Sequence, residues 1–179
     1  MKHLKNINEY FSNINEGINY NQGIDVDLYE VGCILLQGSG KNVDDMEADE
    51  VAEAAAEAMK KAKPIALTGI VKKDLPAFLK YVADSFKRCD VELDIDTTEI
   101  DSSNFANELM IPVADTEYYL LTALDYTELA YNASQFVIGA SFASDDTGSL
   151  DCIIDDLSNQ GDVTKACAEF KQYLENQKK

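Results

Sequence analysis

Residues 117–126 read EYYLLTALDY, and residues 135–143 read QFVIGASFA. Aromatic and apolar residues crowd both stretches, as they do in strands. Asp145-Asp146-Thr147-Gly148 follows the second stretch, a run with the chemistry of a tight turn, and leads into residues 150–157 as either a third strand or a short helix. Three elements joined in this way form an antiparallel meander, so the second half of the chain is expected to build a sheet.

Upstream, the pattern alternates between helices and apolar runs. Asp44 to Ala62 is predicted as a helix with Val51, Ala55, Ala58 and Ala62 on its narrow face. Acidic residues crowd its start (Asp44, Asp45, Glu47, Asp49, Glu50) and Lys60, Lys61 and Lys63 its end, a polarity that suits the helix dipole. The apolar runs on either side, EVGCILL (30–36) and IALTGIV (65–71), read as buried strands. Asp74 is the predicted N-cap of a second helix to about Arg88, with Leu75, Leu79, Val82 and Phe86 on one face and Pro76 in its first turn. Val91, Leu93 and Ile95 alternate with Glu92, Asp94 and Asp96, which predicts a strand with three carboxylates on one face. A short helix is expected around Phe105 to Met110, and Pro112 should break the chain there.

At the termini, Leu4, Ile7, Phe11, Ile14 and Ile18 recur at helical spacing, so residues 1–22 are expected to form an amphipathic helix. Asp162 is the predicted cap of a final helix whose inner face is Val163, Ala166, Phe170 and Leu174. The expectation is therefore an α+β fold. Residues 23–179 form a single domain with a central mixed or antiparallel sheet, two helices inserted between early strands and helices at both ends.

Composition narrows the function. Among 179 residues, 33 acids stand against 15 bases, a net charge of −18. Such a surface repels phosphate backbones and anionic membranes, so direct nucleic-acid or lipid binding is not expected. The same charge also serves solubility. No apolar run reaches the length that spans a bilayer, and the start shows no export or lipidation signal, which points to synthesis in the cytoplasm. The four cysteines, at 33, 89, 152 and 167, have no C-x-x-C spacing and read as buried free thiols.

Catalytic patterns fail on inspection. GSGK (38–41) lacks the first glycine of a phosphate loop, whose place is Leu35, and has Asn42 where a hydroxyl must hold magnesium. Five carboxylates follow it, so the loop reads as a flexible strand-to-helix turn. The sole histidine, His3, sits at the chain start and makes a poor general base. Glu92, Asp94 and Asp96 lie about 7 Å apart along a strand, too far to share one ion unaided. No cofactor or metal site is predicted. Contact surfaces are expected instead at Leu4, Ile7, Phe11 and Ile14, at the acidic run Asp44–Glu50, at Glu92, Asp94 and Asp96, and at Tyr118 and Tyr126 among nine tyrosines.

The opening MKHLKNINEYF (1–11) resembles the N-terminal stretch of many small proteins encoded by tailed bacteriophages. The order of an Ala/Glu-rich helix ending KKAKPIAL (60–67), then YYLLTAL (118–124) and a strand-rich tail, is similar to modules of phage virion and fibre proteins. That resemblance implies a virion-associated protein, such as a capsid-decorating or head-fibre-like component, made in the bacterial cytoplasm. It would act as a dimer or trimer on capsid or other virion proteins. Two other functions fit the composition: an acidic inhibitor that mimics nucleic acid toward a basic host protein, and a metal-dependent carboxylate hydrolase.

Overall fold

The computed structural model describes residues 5–6, 28–61, 64–103, 106–126 and 138–178. The chain is an α+β single domain. Its elements run β1 (Lys5–Asn6), α1 (Leu28–Gly38), α2 (Ala48–Lys61), α3 (Val71–Lys87), β2 (Glu99–Ser103), β3 (Ala106–Pro112), β4 (Tyr119–Asp125), β5 (Ala140–Ser144), β6 (Gly148–Ile154) and α4 (Gln160–Gln177). Single 3₁₀ turns sit at Val43–Asp45 and Ile95–Thr97. The sheet order is β1 to β6 in sequence, antiparallel throughout. The meander expected from residues 117–157 is its core.

Register divides the sheet into two faces. Ile100, Leu109, Thr122, Ala140 and Ile154 pair across the sheet in one row, and all five are buried. One residue along, Glu99, Met110, Leu121, Ser141 and Ile153 form the neighbouring row on the opposite face. The buried face joins the inner sides of α3 (Phe78, Leu79, Val82, Phe86) and α4 (Val163, Ala166, Cys167, Phe170) in one core. At its centre Phe142 stacks on Phe170, ring centroids 4.0 Å apart, and Phe86 meets Phe142 edge-on at 5.8 Å.

Several expectations are corrected. EVGCILL is part of α1, and IALTGIV is an extended loop that enters α3 at Val71. An apolar run of seven has no period of its own, so these two segments could not be told apart by pattern. The helix expected over Phe105–Met110 is replaced by β3, in which Leu109 is buried and Glu108 exposed. Residues 91–96 make only an isolated bridge, Leu93 to Val113, although their exposure alternates as expected. The early helices are inserted between strands as expected, but three described helices rather than two lie between the two-residue β1 and β2. Within the helix expected over 1–22, Lys5 and Asn6 pair with Ile100 and Glu99 as β1. Leu4, Ile7, Phe11 and Ile14 lie outside the described residues.

Helix ends account for the remaining differences. The GSGK segment closes α1 rather than opening a helix. Gly40, at φ +78°, sends its amide to Gln37 O at 2.9 Å, and Lys41 sends its amide to Leu36 O at 3.0 Å. This pair of bonds is a Schellman ending, in which glycine tolerates the left-handed backbone. Asp90, at φ +53°, ends α3 in the same way, with its amide on Lys87 O and Val91 N on Phe86 O. Asn159, three residues before the expected Asp162, caps α4 by accepting from Gly161 N at 2.9 Å. Gly32 lets α1 cross α2 closely, since a Cβ there would lie 2.7 Å from Val51 Cγ1.

Asp74 also departs from its expected role. Helix α3 begins at Val71, and the carboxylate of Asp74, 2 % exposed, folds back over the preceding loop. It accepts from Thr68 N (2.9 and 3.0 Å), Thr68 Oγ1 (2.8 Å), Gly69 N (2.8 Å) and Tyr126 Oη (2.9 Å). One side chain thus ties loop 64–70, the start of α3 and the end of β4 together.

Candidate protein-contact surface

The outer sheet face holds the surface with the clearest binding character. Met110, Leu121 and Ala123 are half-buried there, and Ile153 is 60 % exposed. Together with Glu108, Ser141, Ser149 and Asp155 they line an open depression of about 790 Å³, and no described helix contributes to its walls. Acids surround the apolar floor: Glu99 lies opposite Met110, and Asp101 lies opposite Glu108 on the neighbouring pair. Like charges placed directly across a ladder destabilise it slightly, by a few tenths of a kcal/mol, and a positive partner would relieve that repulsion.

The residues nominated from sequence fall elsewhere. Asp44 and Asp45 are exposed on the 3₁₀ turn, where Asn42 Nδ2 donates to Asp45 Oδ2 at 2.7 Å. Glu47, Asp49 and Glu50 are exposed at the start of α2, with Glu47 N on Glu50 Oε2 at 3.4 Å. Glu92, Asp94 and Asp96 are exposed along the arm that follows α3, held by Asp94 N on Pro112 O and Ala114 N on Glu92 O. Tyr118 and Tyr126 are buried in the core. Tyr118 is packed edge-on against Phe170 and Tyr173, and Tyr126 is fully buried with its hydroxyl on Asp74. Among the described residues no three His, Cys, Asp or Glu side chains converge as a metal site would require.

Sequence reasoning missed the outer strip for two reasons. Reading Phe105–Met110 as a helix hid the alternation of β3. In β4 both faces are apolar, Leu120, Thr122 and Leu124 inward and Tyr119, Leu121 and Ala123 outward, so the usual polar side is missing. That two-sided apolar character was the available signal.

Buried ionisable groups supply a check on the packing. Burial, with Cys89 close by, pushes the Cys167 thiol from 9.0 up to about 12. A hydrogen bond with Tyr173, then burial, raises the Tyr118 phenol from 10.0 to about 12. Both groups stay protonated when folded at pH values where the unfolded chain ionises. Stability is therefore whole below pH 9 and falls as pH rises from there through 12. In native protein at pH 8, iodoacetamide should modify the half-buried Cys33 and Cys89, while Cys152 and Cys167 react only after unfolding. Mass spectrometry of the time course counts the groups; four equal rates would contradict the packing of α4.

No family model, curated protein or solved structure matches the chain. No helix of the described residues is long and apolar enough to cross a membrane.

Proposed function

We propose that the chain is a protein-binding component with no reaction of its own, and that it acts through the outer face of its sheet. The observation that carries this reading is the row Met110–Leu121–Ser141–Ile153, apolar but for Ser141 and left open by the described residues inside an acidic border. Five strands spaced about 4.8 Å apart and about seven residues long offer roughly 500 Å² of face. That is more than half of what one side of a standard interface buries, about 800 Å². An apolar floor supplies affinity, and an acidic rim selects a basic partner and speeds its arrival.

The resemblance to phage proteins in residues 1–11 and 60–67 supplies the setting: a virion-associated protein, capsid-decorating or head-fibre-like, whose partner is a basic surface of a capsid or other virion protein. If the chain also forms a dimer or trimer, that contact lies away from this face, because two copies would meet acid to acid.

The test uses the double substitution Met110→Thr with Leu121→Thr, which keeps β propensity and removes the apolar floor. Co-purification from the producing cells should retain a partner with the natural protein at both 0.15 M and about 0.5 M salt, since exposed charge pairs are screened at the higher value. The double variant should fold and lose that partner by at least about tenfold, as expected for removal of a contact core. Retention of the same partner by the folded variant rejects the surface. Loss of all binding of the natural protein at the higher salt would favour a purely electrostatic mimic of nucleic acid.

A further inference from the structure

Strand β6 ends the sheet: its pairing runs to β5 alone, and no described strand lies on its other side. The strand is flanked by a depression on each face. One is the outer-face depression, where Ile153 and Ser149 line the wall. The other, about 610 Å³, lies between β6 and α4, where the inward Leu150 and Cys152 meet Glu169 and Tyr173, while the exposed Asp151 shares the outer face with Ser149 and Ile153. Neither depression has a lysine or arginine in its lining. Glu169 has Lys165 at 3.9 Å, an exposed pair too loose to neutralise it.

We propose that β6 is the docking edge, and that the partner contributes an extended, Lys/Arg-bearing segment that adds beside it as a seventh strand. This rests on the protein-binding reading above and specifies its mode. An edge strand presents unpaired amides and carbonyls, which give an incoming strand its backbone bonds. Successive side chains of that strand point to opposite faces. Those on the helix side would enter the gap between Cys152 and Glu169, where the Glu169 carboxylate suits a basic residue. Those on the outer side would lie beside Ser149, Asp151 and Ile153, where a valine or isoleucine next to Ile153 extends the apolar strip. Seven residues of β6 give about 23 Å of edge, room for a strand of six or seven. A second copy of this chain fits poorly, because pairing β6 with itself brings the Asp151 side chains of two strongly acidic molecules together.

The probe is a capped seven-residue peptide alternating arginine and valine, compared with a peptide of the same composition in two blocks. Hydrogen exchange of the full chain should slow by about tenfold or more at amides of residues 148–154 with the alternating peptide only. Fluorescence anisotropy should show the alternating peptide binding more tightly, and Glu169→Lys weakening it by about tenfold. Equal affinity for the two peptides, or unchanged exchange at 148–154, overturns strand addition. A partner that is still lost on Met110→Thr with Leu121→Thr, without β6 protection, would leave the protein-binding face standing and remove only this mode. Failure of both measurements removes both.

Discussion

Asp74→Ala is expected to lower unfolding free energy by about 3–4 kcal/mol, a large part of the 5–15 kcal/mol typical of a domain. The carboxylate is 2 % exposed and collects donors from Thr68, Gly69 and Tyr126. Truncation strands those donors: the Gly69 amide and the Tyr126 hydroxyl have little access to replacement water. Hydrogen bonds to a charged acceptor are also stronger than neutral ones. Asp74→Asn should recover little, since the site supplies only donors and the amide brings two more. Tyr126→Phe, which removes one bond and its donor together, should cost about 1–2 kcal/mol. Urea unfolding followed by circular dichroism measures all three. A cost under about 1 kcal/mol for Asp74→Ala would mean that loop 64–70 is held by its apolar residues, chiefly Leu67, and not by the carboxylate.

Phe142→Ala is the second large effect, about 3–5 kcal/mol. Phe142 is fully buried on β5, stacked on Phe170 of α4 with planes 3° apart and met edge-on by Phe86 of α3. The ring is where the sheet and both core helices meet, so its removal leaves a cavity that no single element can close by shifting. Aromatic contacts of this kind contribute about 0.5–1.5 kcal/mol beyond the area they bury. Ile153→Ala, on the same sheet but 60 % exposed, should change stability by less than about 0.5 kcal/mol. Equal costs at the two positions would show that the faces have been assigned the wrong way round.

The two halves of the chain were not equally legible. The meander could be read because its turn, Asp145 to Gly148, carries strong local chemistry: Ser144 Oγ takes the Thr147 amide, and Gly148 adopts φ +68°. The inner face of α4 was read correctly through Val163, Ala166 and Phe170 for a similar reason, a clear helical period. IALTGIV was misread because its backbone is extended, with exposure alternating from Ile65 to Ile70, yet its amides find Met59 O and the Asp74 carboxylate in place of a neighbouring strand. Nothing local announces that a side chain six residues on will stand in for a strand. EVGCILL was misread because its clue, Gly32, marks the crossing against Val51, a contact between elements remote in sequence. The acidic stretches were correctly expected to be exposed, but Tyr118 and Tyr126 were nominated for a surface they do not reach, because tyrosine serves cores and interfaces alike.

The outer face is an interface only if another protein lies against it in the cell. A photo-crosslinking residue placed at Leu121, and separately at Lys80 on the exposed side of α3, tests this directly when irradiated in the cells that produce the protein. The account predicts one discrete adduct from position 121, mapping to a basic segment of a different protein, and none from position 80. Adducts of equal yield from both positions, or none from position 121, would contradict it.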